Sequence, residues 1–352
     1  MYLIDLFSGI GGMSLGFEKA GFKSVLAIEY NANIAEGFSL NFPDTQMIVA
    51  DISQIDLIHT LKPYQNLEDL IVVGGPPCQG FSQKGKRIGL GDDRNFLFKK
   101  FIKTIEILRP AAWVIENVPG ILSMSQGFFL NEIKNEFLRL GYHVDYQILD
   151  ASDYGVPQSR RRAFIIGHKT TKSFMWPQKT KQKIGLETAI GDLPRLISGE
   201  GQEVSNYDQP PATDYQKALR QNSPCLFNHV STKHSKLVLE RLKLIPEGGT
   251  RANLPVEHLT RSIHSGTWCR LDRNKPSRTI TTRFDTPSSG MFTLPDQDRC
   301  LTVREAARLQ SFPDHFQFTG NKSNQMLQVG NAVPPLLAQK IAEQIKQLLE
   351  NN

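Results

Sequence analysis

The sequence predicts an α/β fold, a doubly wound and mostly parallel sheet, joined to a second, smaller and irregular β-containing lobe. Three observations carry this. From the N-terminus to about residue 170, short apolar runs alternate with helical stretches, the pattern of a parallel sheet covered on both faces. The regularity then fails, and a stretch to about residue 275 is rich in Pro, Gly, Asn, Ser and basic residues. Finally, 352 residues with 39% hydrophobic content bury a sizeable core but are too many for one compact domain.

The elements follow in order. "MYLIDLF" reads as a buried strand, and "GGMSLGFEKAGF" as a helix closed by Gly21. "SVLAIEY" is the next strand, and "NANIAEGFSLNF" a helix opened by Asn31 or Asn33, both good N-cap residues. Strands are predicted at "MIVAD", "DLIVVGG" and "AAWVIENV", with the helix "NFLFKKFIKTIEILR" between the last two. "QILD" and "RAFIIGH" add two strand candidates. Beyond them, "EGGT" and "NKPS" mark turns. Order returns with "TVREAARLQSF" and the closing helix "PPLLAQKIAEQIKQLLE", whose apolar positions recur at helical spacing and which is expected back on the first lobe. The expected domains are 1–170 with 322–352, and 171–321.

Charge and cysteine usage narrow the function classes. The net charge of +6 is concentrated: residues 163–277 hold 17 Lys/Arg against 10 Asp/Glu, and the remainder 24 against 25. A basic segment of this kind suits a polyanion. Four cysteines, Cys78, Cys225, Cys269 and Cys300, lie far apart without metal-ligand spacing. No apolar run has the length of a membrane span, and "MYLIDLFSG" lacks a signal peptide's basic region. A cytoplasmic protein with free thiols, no metal and no membrane partner is the expectation.

Several strand ends carry chemistry. "DLFSGIGGMSLGFEKAGF" occupies the first strand-to-helix turn, where backbone N–H groups can receive a ligand. Gly9 and Gly11 fit a dinucleotide fingerprint, but Ser14 stands where its third glycine belongs. Glu29 closes the next strand, where an acid can take both ribose hydroxyls, and Asp51 closes the third, near an adenine amino group. The bland alternative is a nucleotide-free turn with two exposed acids. Cys78 emerges in "GGPPCQGFS" behind Pro76 and Pro77, and the following "GFSQKGKRIGLGDDR" has four glycines and four Lys/Arg. A thiol beside cations at a sheet's carboxyl end is a usable nucleophile, whereas most free cysteines are small buried hydrophobes. "ENV" places Glu116 at the next strand end, and "QSRRR" offers Arg160 and Arg162 on one face with Arg161 on the other.

Together these segments resemble a known family. "DLFSGIGG", "GGPPCQGFS", "ENVPG", "YGVPQSRRR", "RTITTR", "LTVREAARLQSFPD" and "QVGNAVPP" follow the order found in DNA (cytosine-5)-methyltransferases of the bacterial restriction-modification type. The resemblance implies the fold of S-adenosylmethionine-dependent methyltransferases, with the basic stretch as target recognition domain. Cys78 would attack C6 of a flipped-out cytosine. Glu116 would hydrogen-bond or protonate N3, Arg162 would hold O2, and Arg160 would support the loop or a phosphate. Phe7 would stack on adenine, and Ser8, Gly9, Ile10, Gly11 and Gly12 would cradle the methionine part. Glu29 with Tyr30 would serve the ribose, Asp51 with Ile52 the adenine, and Pro76, Leu97, Asn331 and Ala332 the rest of the pocket. Ser82 and Lys84 would touch phosphates of double-stranded DNA. A cognate restriction endonuclease would share the target without stable association, and the enzyme would be a monomer.

Two alternatives stay open in the sequence. A relative acting on transfer RNA would share nearly all these residues, although a recognition segment of over 100 residues suits duplex DNA. A nucleotide-dependent oxidoreductase with a redox cysteine is opposed by Ser14 and by the lack of a resolving cysteine near Cys78.

Overall fold

The computed structural model describes residues 1–77, 96–260 and 266–351. The chain packs as two compact units, Met1–Asp150 with Arg161–Lys179 and Pro335–Asn352, and Ala151–Arg160 with Thr180–Pro334.

Unit 1 begins with β1 (Tyr2–Leu6), α1 (Gly12–Lys19), β2 (Lys23–Glu29), α2 (Ala32–Asn41), β3 (Gln46–Val49) and α3 (Leu57–Leu61). It continues with β4 (Leu70–Gly74), α4 (Phe96–Leu108), β5 (Ala112–Asn117), α5 (Phe128–Arg139), β6 (His143–Asp150) and β7 (Arg161–His168). The sheet order is β3-β2-β1-β4-β5-β7-β6. Strands β1 to β5 pair in parallel, whereas β7 runs antiparallel to both its neighbours. The chain lays β2 and β3 on one side of β1 and then crosses to lay β4 on the other. The carboxyl ends of β1 and β4 therefore flank a switch point, where such sheets bind ligands.

The strands are continuous apolar runs because both faces are covered: Leu3, Ile4, Leu6, Ile71, Val72, Val73, Val114 and Ile115 are all 0% exposed. Trp113 of β5 stacks on Phe137 of α5, ring centroids 3.8 Å apart, with Phe101 of α4 and Tyr142 edge-on around it. Asn31 caps α2 by accepting the N–H groups of Asn33 and Ile34, which settles the choice between Asn31 and Asn33.

Unit 2 contains α6 (Leu186–Ile190), β8 (Gly201–Ser205), α7 (Asp214–Arg220), β9 (Leu226–Val230), α8 (Lys236–Lys243), α9 (Val303–Leu309) and α10 (Lys322–Asn331). Strands β8 and β9 form an antiparallel pair. Capping boxes start α7, from Thr213 and Gln216, and α9, from Thr302 and Glu305. One apolar cluster of this unit gathers Leu242, Ile245, Leu254 and Trp268, and Phe312, Phe316 and Phe318 pack ring against ring in another part of it. Much of its interior is polar. Arg299 grips Glu305 through two bonds of 2.9 and 2.7 Å, and Arg308 grips Asp314 through bonds of 2.8 and 2.6 Å while also pairing with Asp192.

The closing helix α11 (Pro335–Glu350) belongs to unit 1 and packs on α1. A Cβ at Gly16 of α1 would lie 2.5 Å from both the Ala338 Cβ and the Pro335 carbonyl oxygen. Glycine is what lets the two helices come this close.

The grouping differs from the expected boundaries. Residues 322–334, expected beside the sheet, pack within unit 2. There Gln310 Nε2 donates to the carbonyls of Val329 and Ala332, and a Cβ at Gly330 would meet the Thr281 carbonyl oxygen at 2.3 Å. Helices α3, α5, α6, α7, α8 and α10 are additions to the sequence reading, which took the stretch to about residue 275 as irregular. Among the described residues no helix is long and apolar enough to cross a membrane.

Candidate active site

Five strand ends of unit 1 build the site. After β1 the backbone turns through Phe7, Gly9 and Gly11, all with left-handed φ of 60°, 54° and 90°. For an aromatic residue this conformation is costly and marks a loop held by its surroundings. The holding groups are visible: Ser8 N–H donates to the Ile28 carbonyl at 3.1 Å, Gly11 N–H to the Ser8 carbonyl at 2.9 Å, and Gly9 N–H to Glu29 Oε2 at 3.0 Å. A Cβ at Gly11 would strike the rings of Phe42 and Phe38, at 2.4 and 2.8 Å, while at Gly9 there is open space within 4 Å. The loop is thus pressed against α2 on one side and open on the other.

Glu29 is 5% exposed. Burial raises its pKa, opposed by the backbone N–H groups of Asn31, Gly9 and Tyr30. Its two oxygens fix both the loop and the start of α2, since Asn31 N–H donates to Oε1 at 2.9 Å. Tyr30 is 74% exposed. Strand β3 ends at Val49, so Asp51 stands two residues beyond it, exposed, accepting the Ser53 N–H at 2.8 Å, with Ile52 buried beside it. Ile10 and Gly12 are buried. The buried Ser8 hydroxyl has no hydrogen-bond partner among the described residues, so a polar ligand group over the open face of Gly9 would meet an unused partner.

The exits of β4 and β5 are tied together. Asn117 Nδ2 donates to the Pro76 carbonyl at 2.9 Å, and the Asn117 side-chain oxygen accepts the Val118 N–H at 2.9 Å. Glu116, one residue back, pairs with Arg162 of β7, Nε to Oε1 at 3.0 Å, with both side chains largely buried. The antiparallel register sets Glu116 opposite Phe164, so Arg162 reaches it diagonally. Leu97 is half-buried in the first turn of α4.

The "SRRR" run divides. Arg161 is exposed. Arg160 is 2% exposed and belongs to unit 2, where its two terminal nitrogens donate to the Ile280 and Gly330 carbonyls, each at 3.0 Å. Burial and these carbonyls make it an internal tie rather than a phosphate contact. Asn331 and Ala332, at the end of α10, also lie in unit 2. Cys78, Ser82 and Lys84 lie outside the described residues. The sequence reading passed over Asn117 and Asp5; the first was visible in "ENV", while the second reads as one more residue of a strand.

The chain was compared with known proteins. It is 38% identical to the Type II methyltransferase M.DdeI of Desulfomicrobium norvegicum, covering 100% of this chain and 90% of that protein. It is 37% identical to M1.HphI of Haemophilus parahaemolyticus, covering 99% and 87%. Its fold matches the crystal structure of a prophage-encoded DNA modification methyltransferase from E. coli with a TM-score of 0.81, at 29% identity and 99% coverage of each chain. The model of the C-5 cytosine-specific DNA methylases matches residues 1–347, a span that takes in every strand end described above, and the chain belongs to that family as a DNA (cytosine-5)-methyltransferase.

Proposed function

We propose that the protein transfers a methyl group from S-adenosylmethionine to C5 of a flipped-out cytosine within a specific short duplex DNA sequence, through a covalent bond between Cys78 and C6. The observation that carries this reading is the fixed pairing at the β4 and β5 exits. Asn117 anchors the Pro76 carbonyl at 2.9 Å, two residues before Cys78, and Arg162 holds Glu116 at 3.0 Å. The strand exit that leads to the assigned nucleophile and an acid are thereby held to one end of one sheet.

The chemistry follows from the substrate. Cytosine C5 is a poor nucleophile until a thiolate adds to C6, so Cys78 supplies the electron pair. Charge then builds on the ring, and Glu116 stabilises it by protonating or hydrogen-bonding N3. Arg162 orients Glu116 and is assigned to O2. The bound donor supplies an electrophilic methyl group. Loss of the C5 proton to a base or a water molecule then expels the Cys78 thiolate and restores the ring.

Ser8 through Gly12 would hold the methionine part, with Phe7 on the adenine, Glu29 and Tyr30 at the ribose, and Asp51 and Ile52 at the adenine. The buried unused Ser8 hydroxyl and the open face of Gly9 suit such a ligand. Pro76, Leu97, Asn331 and Ala332 complete the expected contacts, and Arg160 serves as a positioning residue. A base stacked in the duplex cannot reach an enzyme nucleophile, so the cytosine must leave the helix. Ser82 and Lys84 are assigned to the DNA backbone, and unit 2 to target recognition. The names of the Type II relatives support a restriction-modification setting; a cytoplasmic location, a separate endonuclease reading the same target and action as a monomer belong to the same proposal.

Duplex DNA with 5-fluorocytosine at the target tests the covalent step. Fluorine cannot leave C5 as a proton does, so a denaturation-resistant complex should form only with S-adenosylmethionine present and should map to Cys78. Cys78→Ala should bind DNA without forming it. An adduct at Cys225, Cys269 or Cys300, or none on DNA that contains the target, would overturn the assignment.

A further inference from the structure

Ser14, where a dinucleotide fingerprint would have its third glycine, has a partner in the structure. Its hydroxyl donates to Asp5 Oδ2 at 2.6 Å. Asp5 is the fourth residue of β1, 1% exposed, and Ser14 is 0% exposed in the first turn of α1. The pair lies across the base of the Phe7–Gly12 loop. The other carboxyl oxygen, Oδ1, is buried and has no hydrogen-bond partner among the described residues. A buried carboxylate with one oxygen unsolvated is expensive to ionise.

Among the described residues, the groups that act most on Asp5 include no cation to offset that cost. Its register partners are Ala27 in β2 and Val73 in β4, and α1 contributes the Ser14 hydroxyl and N–H. The charged neighbour that acts on it is Glu29, whose sign is wrong. Burial accordingly pushes the Asp5 carboxyl up to about 7, against the Ser14 hydrogen bonds and with Glu29 adding to the rise. Two desolvated acids thus stand behind a loop assigned to a ligand whose sulfonium carries a positive charge that the thioether product lacks.

We propose that Asp5 and Ser14 form a proton-linked positioning pair behind the cofactor loop, giving up a proton when the positively charged methyl donor binds and recovering it when the product takes its place. The inference rests on the cofactor reading above. The donor's extra positive charge favours the ionised carboxyl, so its binding draws the proton off. Affinity for the donor therefore rises with pH through the neutral range, while affinity for the product changes less. Discrimination between donor and spent product comes in part from the floor of the site. This also accounts for a serine at position 14: glycine would leave both Asp5 oxygens without a side-chain donor.

Calorimetric titration of the full chain with S-adenosylmethionine and with S-adenosylhomocysteine, at pH 7 in two buffers of different ionisation enthalpy, counts the protons. The donor should release a substantial fraction of a proton and the product little, and donor affinity should rise by about tenfold from pH 6 to pH 8. Asp5→Asn should still bind the donor, with the release gone and the affinity flat across this range. Ser14→Ala, which removes a hydrogen bond that favours the ionised form, should move the pH midpoint upward and keeps the question answerable if Asp5→Asn does not fold. Donor binding without proton release, equal release by donor and product, full release in Asp5→Asn, or an unmoved midpoint in Ser14→Ala would each overturn the pair. Failure of S-adenosylmethionine to bind at any pH would instead overturn the cofactor reading, and the pair with it.

Discussion

In unit 1 most fully buried strand positions are held by apolar side chains such as Leu, Ile, Val, Ala and Trp113, with Asp5 and His168 among the exceptions, and the acids Glu29 and Glu116 stand at strand ends. In unit 2 the deepest side chains include Arg299, Arg304 and Arg308, each 0% exposed. Arg304 spends its donors on the carbonyls of Phe227, Pro313 and Phe316, and Arg270 binds the carbonyls of Leu242, Ile245 and Leu294. These arginines do for irregular backbone what ladder partners do for strands: they satisfy buried carbonyls that have no sheet to join. A regular sheet leaves its charges free for chemistry at the rim, whereas irregular chain consumes them inside. Charge content by itself therefore says little about what a segment binds.

The largest expected effect tests the rim. Glu116→Gln should cut methyl transfer by ~10²–10⁴-fold, the usual contribution of a general acid, with S-adenosylmethionine binding and thermal stability nearly intact. Unchanged turnover in a single-turnover assay would reduce Glu116 to a partner of Arg162.

The reverse outcome is expected in unit 2. Arg308→Ala leaves buried Asp192 with Arg220 and buried Asp314 with Tyr207 and a more distant Arg304, and the loss of the central cation should cost about 3–5 kcal/mol, read as a lowered denaturant midpoint. Arg139→Ala, which breaks an exposed pair with Glu136 at 2.7 Å, should stay within about 1 kcal/mol. Equal losses for the two would show that the buried network contributes no more than a surface pair.

A smaller effect is expected where unit 1 closes. Gly16→Ala forces the α1–α11 contact apart and should cost ~1–3 kcal/mol as overpacking, checked by thermal unfolding.

A pH-dependent effect separates the units by sign. Burial raises Asp5 to about 7, above its unfolded value, so this group's burden on unit 1 is absent in acid and grows as pH rises from about 4 to 7. Burial would also raise Glu305, but Arg299 draws it down to about 2, so its contribution is full above about pH 4 and is lost as pH falls toward 2. Amide exchange at 2–6 and at 299–310, followed from pH 7 to pH 3, should show relative protection of the first segment rising between pH 7 and 4 and that of the second falling below pH 4. Parallel losses would remove the distinction.

The sheet and most of its rim were legible in the sequence because their signals are local. An apolar run, a glycine turn and an acid at the run's end identify β1, its loop and Glu29 within 30 residues, and "ENV" does the same for Glu116. What escaped depends on distant partners. Arg308 pairs with Asp192, 116 positions away, and nothing in "VREAARLQ" distinguishes it from an exposed amphipathic helix. The same blindness affects the basic excess of residues 163–277: Arg220 is tied to Asp192 and Arg270 to Asp298, so part of that charge is already spent. In "SRRR", alternation separated Arg161 from its neighbours but could not tell that Arg160 is buried and Arg162 paired. The direction of β7, between two strands running the other way, has no signature in "RAFIIGH". The polar "KSNQMLQVGN" gave no apolar stripe from which to read α10.

The seating of α11 against Gly16 bears on how the molecule comes into being. Helix α1 emerges early in synthesis and α11 only after all of unit 2, so the contact that completes unit 1 spans more than 300 residues of chain. Contacts of such long range form slowly, whereas most of unit 2 is one continuous stretch that can fold as it appears. The order of assembly on the ribosome is then inverted relative to the order of the sequence: the strands and α1 made first wait, with the Gly16 face of α1 uncovered, for the helix made last.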